Sequence, residues 1–438
     1  MFEEITYSYP EESERLWKRI EKHYKLFDRT LLRDVQSIFD RVEQEGDKAV
    51  YEATQKFDQV HINNILVTDR YITECVDGLT DTLRTAIEKA IENIREVNQV
   101  LMPPPFWQKE IREGTFIGEK TTALEKVGLW IPARKGPLVS TALMLTVAAK
   151  VAGVKEIIVG MSPRSNGLGD PATIAAAKLA GADTFVVGNG VGIIAGLSIG
   201  TAEIPEVDGI YGPGPNAIAA AMSTAFSYGK RTVVGIGPTE GAIIADNTAD
   251  PRIIAYDMIS ESEHGPDSSF IFVTDSIELS ENVRVELRKV IDEAPAGRKQ
   301  NLESVFGGNG FGAIVITTSI EAACQVINDY APEHLLIKCS TDNEKYVLDN
   351  IRNTGEILAG NNTPFSAANY LIGITAVLPT NGFSKRFSGI TCKDMIKYSS
   401  FGRLNESAIT DLFPYIKALG EYEGLPCHVK EAEVRIKK

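Results

Sequence analysis

Short apolar runs alternate with alanine-rich stretches of helical spacing from about residue 127 onward. Runs of this kind, bounded by glycine, are typical of strands buried on both faces of a parallel sheet. The pattern predicts strands at Val127–Ile131, Glu156–Gly160, Thr184–Gly188, Gly209–Tyr211 and Thr232–Ile236. It predicts helices between them, near residues 140–152, 171–181, 190–199 and 216–229. This alternation indicates βαβ units and a parallel sheet covered by helices.

A second section of the same texture follows, and segments of helical spacing lie before and after the two. The predicted strands of the second section are near Ala242–Ala245, Phe270–Thr274, Gly312–Thr317 and Leu335–Ile337. Residues 32–57 predict two helices separated at Gly46-Asp47, and residues 80–101 predict another that ends before Pro103-Pro104-Pro105. The predicted fold class is α/β, with two Rossmann-like parallel-sheet domains, helical N-terminal additions and small C-terminal additions.

The chain is too long for one ordinary core, so we divide it where the pattern changes. The predicted parts are a helical arm (1–25), a first α/β domain (26–126 plus 237–380, with 104–126 as a linker), a second, dinucleotide-binding Rossmann-like domain (127–236) and a small C-terminal domain (381–438).

Charge and composition exclude some classes of function for this protein. The 438 residues carry 45 basic and 59 acidic side chains, for a net charge of −14. A protein this acidic repels phosphate backbones, so we expect no nucleic-acid partner, although backbone amides can still bind an anionic cofactor. Five cysteines without paired spacing indicate reduced thiols, and no segment has the apolar pattern of a signal peptide or a membrane span. We therefore expect a cytoplasmic protein with no membrane partner.

A helix predicted to begin at Asp250 carries two potential metal ligands near its end. Asp250 is a favourable N-cap, Pro251 a favourable first residue and Gly265-Pro266 a stop signal. Glu261 and His264 are three residues apart, which places both on one face of the helix. A carboxylate and an imidazole in this arrangement suit zinc, but a solvated glutamate and a helix-terminal histidine have the same pattern.

Two other segments carry adjacent reactive residues. Glu333 and His334 precede a very apolar strand, and such a pair can divide proton transfer, with the imidazole accepting a hydroxyl proton and the carboxylate activating water. A surface turn that caps the strand is the alternative. Cys427-His428, near the C-terminus, carries no signal of its own, because adjacent side chains rarely bind one ion.

Glycine-rich junctions follow several predicted strands, at residues 188–192, 211–216 and 235–241. Such turns let the backbone approach a pyrophosphate at a helix N-terminus, but tight βα turns need glycine regardless. None of them has the complete G-x-G-x-x-G spacing with a later acidic residue. The junctions are compatible with a dinucleotide site without specifying one.

Taken together, these segments resemble the histidinol dehydrogenase family over almost the whole chain. The resemblance rests on residues 45–50, 56–58, 127–132, 200–208, 211–214, 263–268, 332–335 and 377–380. Glu-His-Gly-Pro-Asp-Ser at 263–268 and Pro-Glu-His-Leu at 332–335 are the most distinctive, and the presence of both at this separation argues against chance similarity.

The resemblance implies a zinc-assisted, NAD-dependent oxidation of a primary alcohol to a carboxylate through an aldehyde, with L-histidinol as the default substrate. By this resemblance His334 would accept the alcohol proton and Glu333 would activate the water that hydrates the aldehyde. Zinc orients and polarises the substrate, and NAD carries the hydride chemistry. The family is an intertwined homodimer, so the C-terminal domain would contribute His428 to the partner subunit's site.

The resemblance also implies binding roles for individual residues. The implied metal ligands are Glu261, His264, Asn369 and His428. The implied substrate contacts are the same four residues together with Thr239 and Glu333. The implied cofactor contacts are Trp130, Pro132, Gly188, Val191 and Asn216.

Two of the metal positions depart from the family pattern, which has glutamine and aspartate where this chain has Glu261 and Asn369. The exchange keeps one carboxylate and one amide oxygen beside two imidazoles. We therefore expect the metal site to survive in rearranged form, and a degraded, metal-free site is the alternative.

Further departures lie where cofactor or substrate is expected. Ala376 stands in place of a histidine, and Val191 stands in place of a glutamine. The usual Pro-Gly-Gly after the first strand of the second domain reads Pro132-Ala-Arg134-Lys135, and Pro215 interrupts a Gly-Pro-Gly-Asn motif. These changes raise the alternative of a paralogue that oxidises another small polar or anionic alcohol, such as a sulfonated diol. Arg134 and Lys135 would favour an anionic substrate group or the extra phosphate of NADP.

An alternative of a different class is a catalytically retired homologue with a binding or regulatory role. Against it stands the joint retention of Glu333, His334, His264 and His428, because a retired protein has little need of all four.

Overall fold

The computed structural model describes residues 2–20, 29–133, 136–233, 235 and 237–436. The strands are β1 (Thr6–Tyr9), β2 (Phe106–Arg112), β3 (Thr115–Ala123), β4 (Lys126–Ile131), β5 (Glu156–Met161), β6 (Thr184–Val187), β7 (Gly209–Tyr211), β8 (Arg231–Thr232), β9 (Glu240–Ala245), β10 (Ser269–Thr274), β11 (Phe311–Thr317), β12 (His334–Lys338), β13 (Glu356–Ala359) and β14 (Ile396–Leu404).

The α-helices are α1 (Ser13–Ile20), α2 (Arg29–Glu45), α3 (Asp47–Ala53), α4 (Asp69–Asp77), α5 (Asp81–Leu101), α6 (Val139–Ala152), α7 (Pro171–Ala180), α8 (Gly190–Ile199), α9 (Asn216–Ser227), α10 (Pro251–Ser262), α11 (Ile277–Glu293), α12 (Ala296–Val305), α13 (Ile320–Tyr330), α14 (Thr341–Asn350), α15 (Phe365–Tyr370), α16 (Glu406–Tyr422) and α17 (Pro426–Ile436). Among the described residues, no helix is both long and apolar enough to cross a membrane.

The chain forms two compact units. The large unit contains Met1–Val100 and Glu125–Met395, and the small unit contains Leu101–Leu124 and Ile396–Lys438. The large unit holds both parallel sheets. The small unit holds an antiparallel sheet with the strand order β14-β3-β2, together with α16 and α17.

The two parallel sheets of the large unit have the same strand order. One sheet runs β6-β5-β4-β7-β8, and the other runs β1-β11-β10-β9-β12-β13. Counted from β4 in the first sheet and from β9 in the second, both orders are 3-2-1-4-5, with β1 added at the edge of the second. This is the doubly wound arrangement of Rossmann-like folds, and it confirms the predicted α/β fold class.

The six-stranded sheet separates two apolar cores. Ile243, Phe272 and Leu336 point into one core with α10 and α11, whereas the next residue of each strand points into the other core with α13. Successive side chains of a strand alternate between the faces, and a sheet covered on both sides therefore needs continuous apolar strands. This is the pattern from which the strands were predicted.

The N-terminal segment differs from the prediction. Residues 1–25 were predicted to be a helical arm, but Thr6–Tyr9 form β1, which pairs in parallel with β11 at the sheet edge. A four-residue run of alternating threonine, tyrosine and serine has too little periodicity to reveal a strand, and the edge of β11 supplies its hydrogen-bond partners.

The helices that follow also pack differently from the predicted division. Residues 26–126 were grouped with the six-stranded sheet, yet Val35 and Phe39 of α2 and Val50 of α3 pack in the core of the five-stranded sheet. An amphipathic pattern shows that a helix has an apolar face, but not which sheet receives that face. The other domain limits remain predictions.

The segment predicted as a linker is structured as well. Most of residues 104–126 belong to β2 and β3, and β14 completes their sheet by pairing antiparallel with β3. The side chains of β2 are exposed throughout, so the segment lacks the apolar alternation that would have marked it as a strand. The C-terminal residues 381–438 likewise contain β14 as well as helices.

One of the segments that carry the family resemblance, residues 200–208, has a structural role. The Glu203 carboxylate accepts hydrogen bonds from the Tyr51 hydroxyl at 2.7 Å and from the backbone N–H groups of Ile65 and Leu66 at 3.0 and 3.2 Å. Asp47, at the start of α3, accepts in turn from Thr201 and from the Glu203 backbone. These bonds join α3, the 63–67 segment and the loop after α8.

We predict that Glu203→Ala destabilises the protein by about 1–3 kcal/mol, because the substitution leaves the N–H of fully buried Ile65 with a poorer partner. Urea unfolding followed by tryptophan fluorescence measures the change. The control is Glu74→Ala, which removes an exposed ion pair with Arg70 and is expected to cost less than about 0.5 kcal/mol. Equal effects of the two substitutions would contradict this role for Glu203.

Candidate active site

The candidate site lies at the amino edge of the six-stranded sheet. His334 and Glu356 are the first residues of β12 and β13 and are paired directly, and Glu240 is the first residue of β9. A helix that connects parallel strands runs opposite to them, so α10 returns from the carboxyl edge and ends at this amino edge. Its last turn brings Glu261 to His334.

His334 is buried among three carboxylates. Its Nδ1 lies 2.5 Å from Oε1 of Glu356, and its Nε2 lies 3.5 Å from Oε1 of Glu333 and 3.8 Å from Oε2 of Glu261. The edge of the ring packs on Phe365 of α15, with centroids 6.0 Å apart. Burial alone would lower the pKa of His334, but the three carboxylates outweigh it and raise that pKa well above its ordinary value.

Glu333 and Glu240 form a second buried acidic pair. Oε2 of Glu333 accepts a hydrogen bond from the backbone N–H of Glu240 at 3.1 Å. Burial raises the pKa of Glu333, against the opposing influence of His334. Burial and the charge of Glu333 raise the pKa of Glu240 well above its ordinary value. Ala331, with φ of 54°, makes the left-handed turn that leads from α13 into the Pro332-Glu333-His334 segment.

Glu261, His264 and Asn369 are brought together, as the resemblance implied. The Asn369 amide donates to Oε1 of Glu261 at 2.8 Å, and Nε2 of His264 lies 3.5 Å from Oε2 of the same carboxylate. Burial opposes ionisation of Glu261, but the His334 and His264 imidazoles and the Asn369 amide lower its pKa to about 2. The hydrogen bond to Glu261 raises the pKa of His264, whose side chain is half exposed.

These three residues suit a divalent metal ion. A buried carboxylate that stays ionised, an imidazole open to solvent and an amide oxygen are ligands that zinc accepts. Within the described ranges, no group of three or more His, Cys, Asp or Glu side chains is arranged to hold a metal. His428, the fourth implied ligand, is an exposed residue of α17 in the small unit.

Thr239, an implied substrate contact, also lies at the amino edge. It precedes β9, and its backbone carbonyl accepts from Ser269 at 3.0 Å. Ala376 lies in the loop after α15, is partly exposed, and its backbone N–H is 3.3 Å from the Met144 sulfur.

The implied cofactor contacts lie in the other parallel sheet, at the carboxyl edge of its five strands. Trp130 and Pro132 are at the end of β4, and Asn216 begins α9 after β7. From β4 the chain continues to β5 on one side of the sheet, and from β7 it continues to β8 on the other side. The gap between β4 and β7 is therefore the topological switch point, where sheets of this kind bind ligands. Gly188 and Val191 follow β6 at the same edge and are both buried.

Trp130 is buried in the core, and its indole N–H has no hydrogen-bond partner among the residues that the structure describes. A Cβ at Gly190 would lie 2.7 Å from the Trp130 ring, so glycine is needed there for packing. Pro215 caps α9 and leaves Asn216 exposed as its first residue. The departures at Arg134 and Lys135 lie outside the described residues.

Two residues of the site were not identified from the sequence. Glu356 and Glu240 each begin an otherwise apolar strand, Glu-Ile-Leu-Ala and Glu-Gly-Ala-Ile-Ile-Ala. An acidic residue at the first position of a buried parallel strand is a signal that could have identified both, since neighbouring parallel strands begin at the same edge.

Comparisons with known proteins identify the family. The family model described as histidinol dehydrogenase matches residues 22–436. The histidinol dehydrogenase of Synechocystis sp. is 37% identical over 400 residues, which cover 89% of this chain and 89% of the relative. A protein named histidinol dehydrogenase homolog, from Colwellia psychrerythraea, is 36% identical over 397 residues, covering 90% of this chain and 88% of that protein.

A solved structure extends the agreement to the fold. The crystal structure of histidinol dehydrogenase from Elizabethkingia anophelis superposes with a TM-score of 0.90 at 30% identity, covering 99% of this chain and 98% of that chain. The match of the family model to nearly the whole chain and the identity of these relatives are both sufficient to assign the family. The chain belongs to the histidinol dehydrogenase family of oxidoreductases.

Proposed function

We propose that this protein oxidises a primary alcohol to a carboxylate through an aldehyde, with NAD as the hydride acceptor and L-histidinol as the substrate. The observation that carries the proposal is the buried Glu333–His334 pair, which faces Glu261 in a chain of this family. His334 and Glu333 act on protons, and two NAD molecules accept one hydride each.

His334 accepts the hydroxyl proton of the substrate through Nε2. That nitrogen faces Glu333 and Glu261, whereas Nδ1 is already hydrogen-bonded to Glu356. A base held at one nitrogen presents the other in a defined direction, which general base catalysis requires. Glu333 activates the water that adds to the aldehyde, since its Oε1 is next to His334 while the Glu240 N–H holds its Oε2.

Zinc is part of this proposal because the donor set fits it. Glu261, His264 and Asn369 would hold the ion, with His428 from a second copy of the chain in a homodimer. The bound metal supplies Lewis-acid polarisation of the substrate oxygen. NAD would bind at the carboxyl edge of the five-stranded sheet, between the ends of β4 and β7.

The charge of the site favours a substrate with a cationic group. Glu261, Glu333 and Glu356 are buried around His334 at the amino edge, and Glu261, whose pKa is lowered to about 2, keeps its negative charge. Histidinol carries an ammonium group, which these carboxylates would attract, whereas a sulfonated diol would be repelled. We therefore place the anionic alcohol second.

The first test is the stoichiometry of cofactor reduction by purified, zinc-loaded protein with L-histidinol. We expect two NADH per alcohol consumed, because both oxidation steps occur at one site. NADH absorbance and histidine formation are measured together, with His334→Gln as the inactive control. No reduction with zinc bound would overturn histidinol as the substrate, and the same assay with anionic alcohols would then test the alternative.

Glu333→Gln tests the division of labour between the two residues. The variant keeps the base for the alcohol but cannot activate water, so we expect release of the aldehyde and about one NADH per alcohol when an amine trap for aldehydes is present. His334→Gln is expected to slow NADH formation by roughly 10²–10⁴-fold with or without the trap. Full conversion to the carboxylate by Glu333→Gln would contradict the role of Glu333.

His264→Ala tests the metal site. Its loss removes one donor, so we expect the zinc content measured after dialysis to fall from about one ion per chain to a small fraction. Glu263→Gln is the matched control, because Glu263 precedes His264 but faces Arg298 at the surface, and this variant is expected to retain zinc. Unchanged zinc in His264→Ala would exclude this residue as a ligand.

A further inference from the structure

Glu356 is a buried carboxylate that none of the residue assignments from the family resemblance includes. It is the first residue of β13, and its side chain is 4% exposed. Its Oε1 is 2.5 Å from Nδ1 of His334, and its buried Oε2 has no hydrogen-bond partner among the described residues. Burial of a carboxylate is costly when one of its oxygens has no hydrogen-bond partner. The contact with His334 is the interaction that offsets this cost, so we ask what it does.

The register of two neighbouring strands brings Glu356 next to His334. His334 and Glu356 are directly paired in the parallel register of β12 and β13, so both side chains leave the sheet on the same face. The Glu356 backbone N–H also donates to the carbonyl of Glu333 at 3.0 Å, which fixes the start of one strand to the start of the other. On the opposite side of His334, the paired residue of β9 is Gly241, which has no side chain to hold the ring.

Two contacts therefore hold the His334 ring. Phe365 packs against it in a T-shaped arrangement, with an interplanar angle of 79°, and the Glu356 carboxylate accepts a hydrogen bond from Nδ1–H. In the neutral imidazole, which is the form that acts as a base, a carboxylate at Nδ1 keeps the proton on Nδ1 and leaves the lone pair on Nε2. That lone pair is directed to Glu333 and Glu261, where the substrate hydroxyl would lie.

We infer that Glu356 is a positioning residue for His334: it holds the imidazole with Nδ1 protonated and Nε2 turned to the substrate. The inference rests on the proposed function for the step that it serves, but the hydrogen bond itself is a property of the protein without substrate. Its role resembles that of the aspartate in a Ser-His-Asp triad, which orients the histidine and stabilises its charged form without reacting.

Proton and nitrogen NMR of histidine tests the hydrogen bond independently of activity. In ¹⁵N-histidine protein we expect one strongly downfield Nδ1–H proton, assigned to His334 by its loss in His334→Gln. In Glu356→Gln the amide can donate to Nδ1 instead and favour the opposite tautomer, so the signal should disappear. Absence of such a signal from wild-type protein would overturn the inference, whatever the activity.

Kinetics test the consequence of the bond. We expect Glu356→Gln to lower kcat by about 10²-fold or more with KM changed by less than about threefold, because substrate binding is kept and the base is misdirected. Glu356→Asp keeps the carboxylate and should recover part of both kcat and the downfield signal. A purely structural role for Glu356 would instead lower stability in both variants without this recovery.

Asp257→Asn is the matched control for loss of a buried acid. Asp257 lies on α10 and pairs with Lys338 at 3.4 Å, at the other end of β12 from His334. This variant is expected to lose stability but to keep the His334 signal and kcat. Wild-type kcat in Glu356→Gln, with or without the downfield proton, would overturn the positioning role. Inactive wild-type protein would instead refute the proposed function and leave the NMR result to decide on the bond.

Discussion

The direction of the chain in a parallel sheet is the constraint on which the site depends. Every connecting helix runs opposite to the strands, so the amino edge of the sheet is the place where strands begin and helices end. Glu240, His334 and Glu356 begin strands there, and Glu261 is in the last turn of α10. Helix C-termini carry partial negative charge, which favours the imidazoles and a metal cation at this edge.

The two parallel sheets have the same strand order, but the residues singled out in them lie at opposite edges. In the five-stranded sheet the implied cofactor contacts lie at the carboxyl edge, at the switch point between β4 and β7. In the six-stranded sheet the reactive side chains lie at the amino edge. At the carboxyl edge of β9, Asp246 accepts hydrogen bonds from Thr248, Ser340 and Asn343, which lower its pKa to about 2 although burial opposes this. A shared strand order therefore does not determine which edge carries the chemistry.

Electrostatics decide what this site can accept. Three buried carboxylates lie against His334, and one of them, Glu261, keeps its charge and also faces His264, which favours cations, whether a metal ion or the ammonium group of a substrate. The exchange of amide and carboxylate at Glu261 and Asn369 fits this view, because the two side chains are hydrogen-bonded to each other. The total charge of the pair is the same whichever member carries it.

Much of the fold could be predicted from local pattern. Apolar runs identified β4–β6, β10 and β11 almost residue by residue, and the Asp250-Pro251 cap placed the start of α10, where the Asp250 side chain accepts from two backbone N–H groups. Strands without periodicity were not predicted. β1 depends on the edge of β11, and β2 and β3 depend on pairing with each other and with β14. β1 and β14 pair with strands that are distant in sequence, and the first strand of the β2–β3 hairpin is exposed throughout, so local pattern carries little of the signal.

The same division applies to the site. The sequence by itself determined that Glu333 adjoins His334 and that Glu261 and His264 are three residues apart near the end of one helix, because adjacency and helical spacing are local properties. Only the tertiary structure decided that Glu261 faces His334, that Asn369 bonds to Glu261, and that Glu356 lies against Nδ1. The physical reason is strand register: Glu356 and His334 are 22 residues apart in the chain, and the pairing of β12 with β13 alone places them side by side.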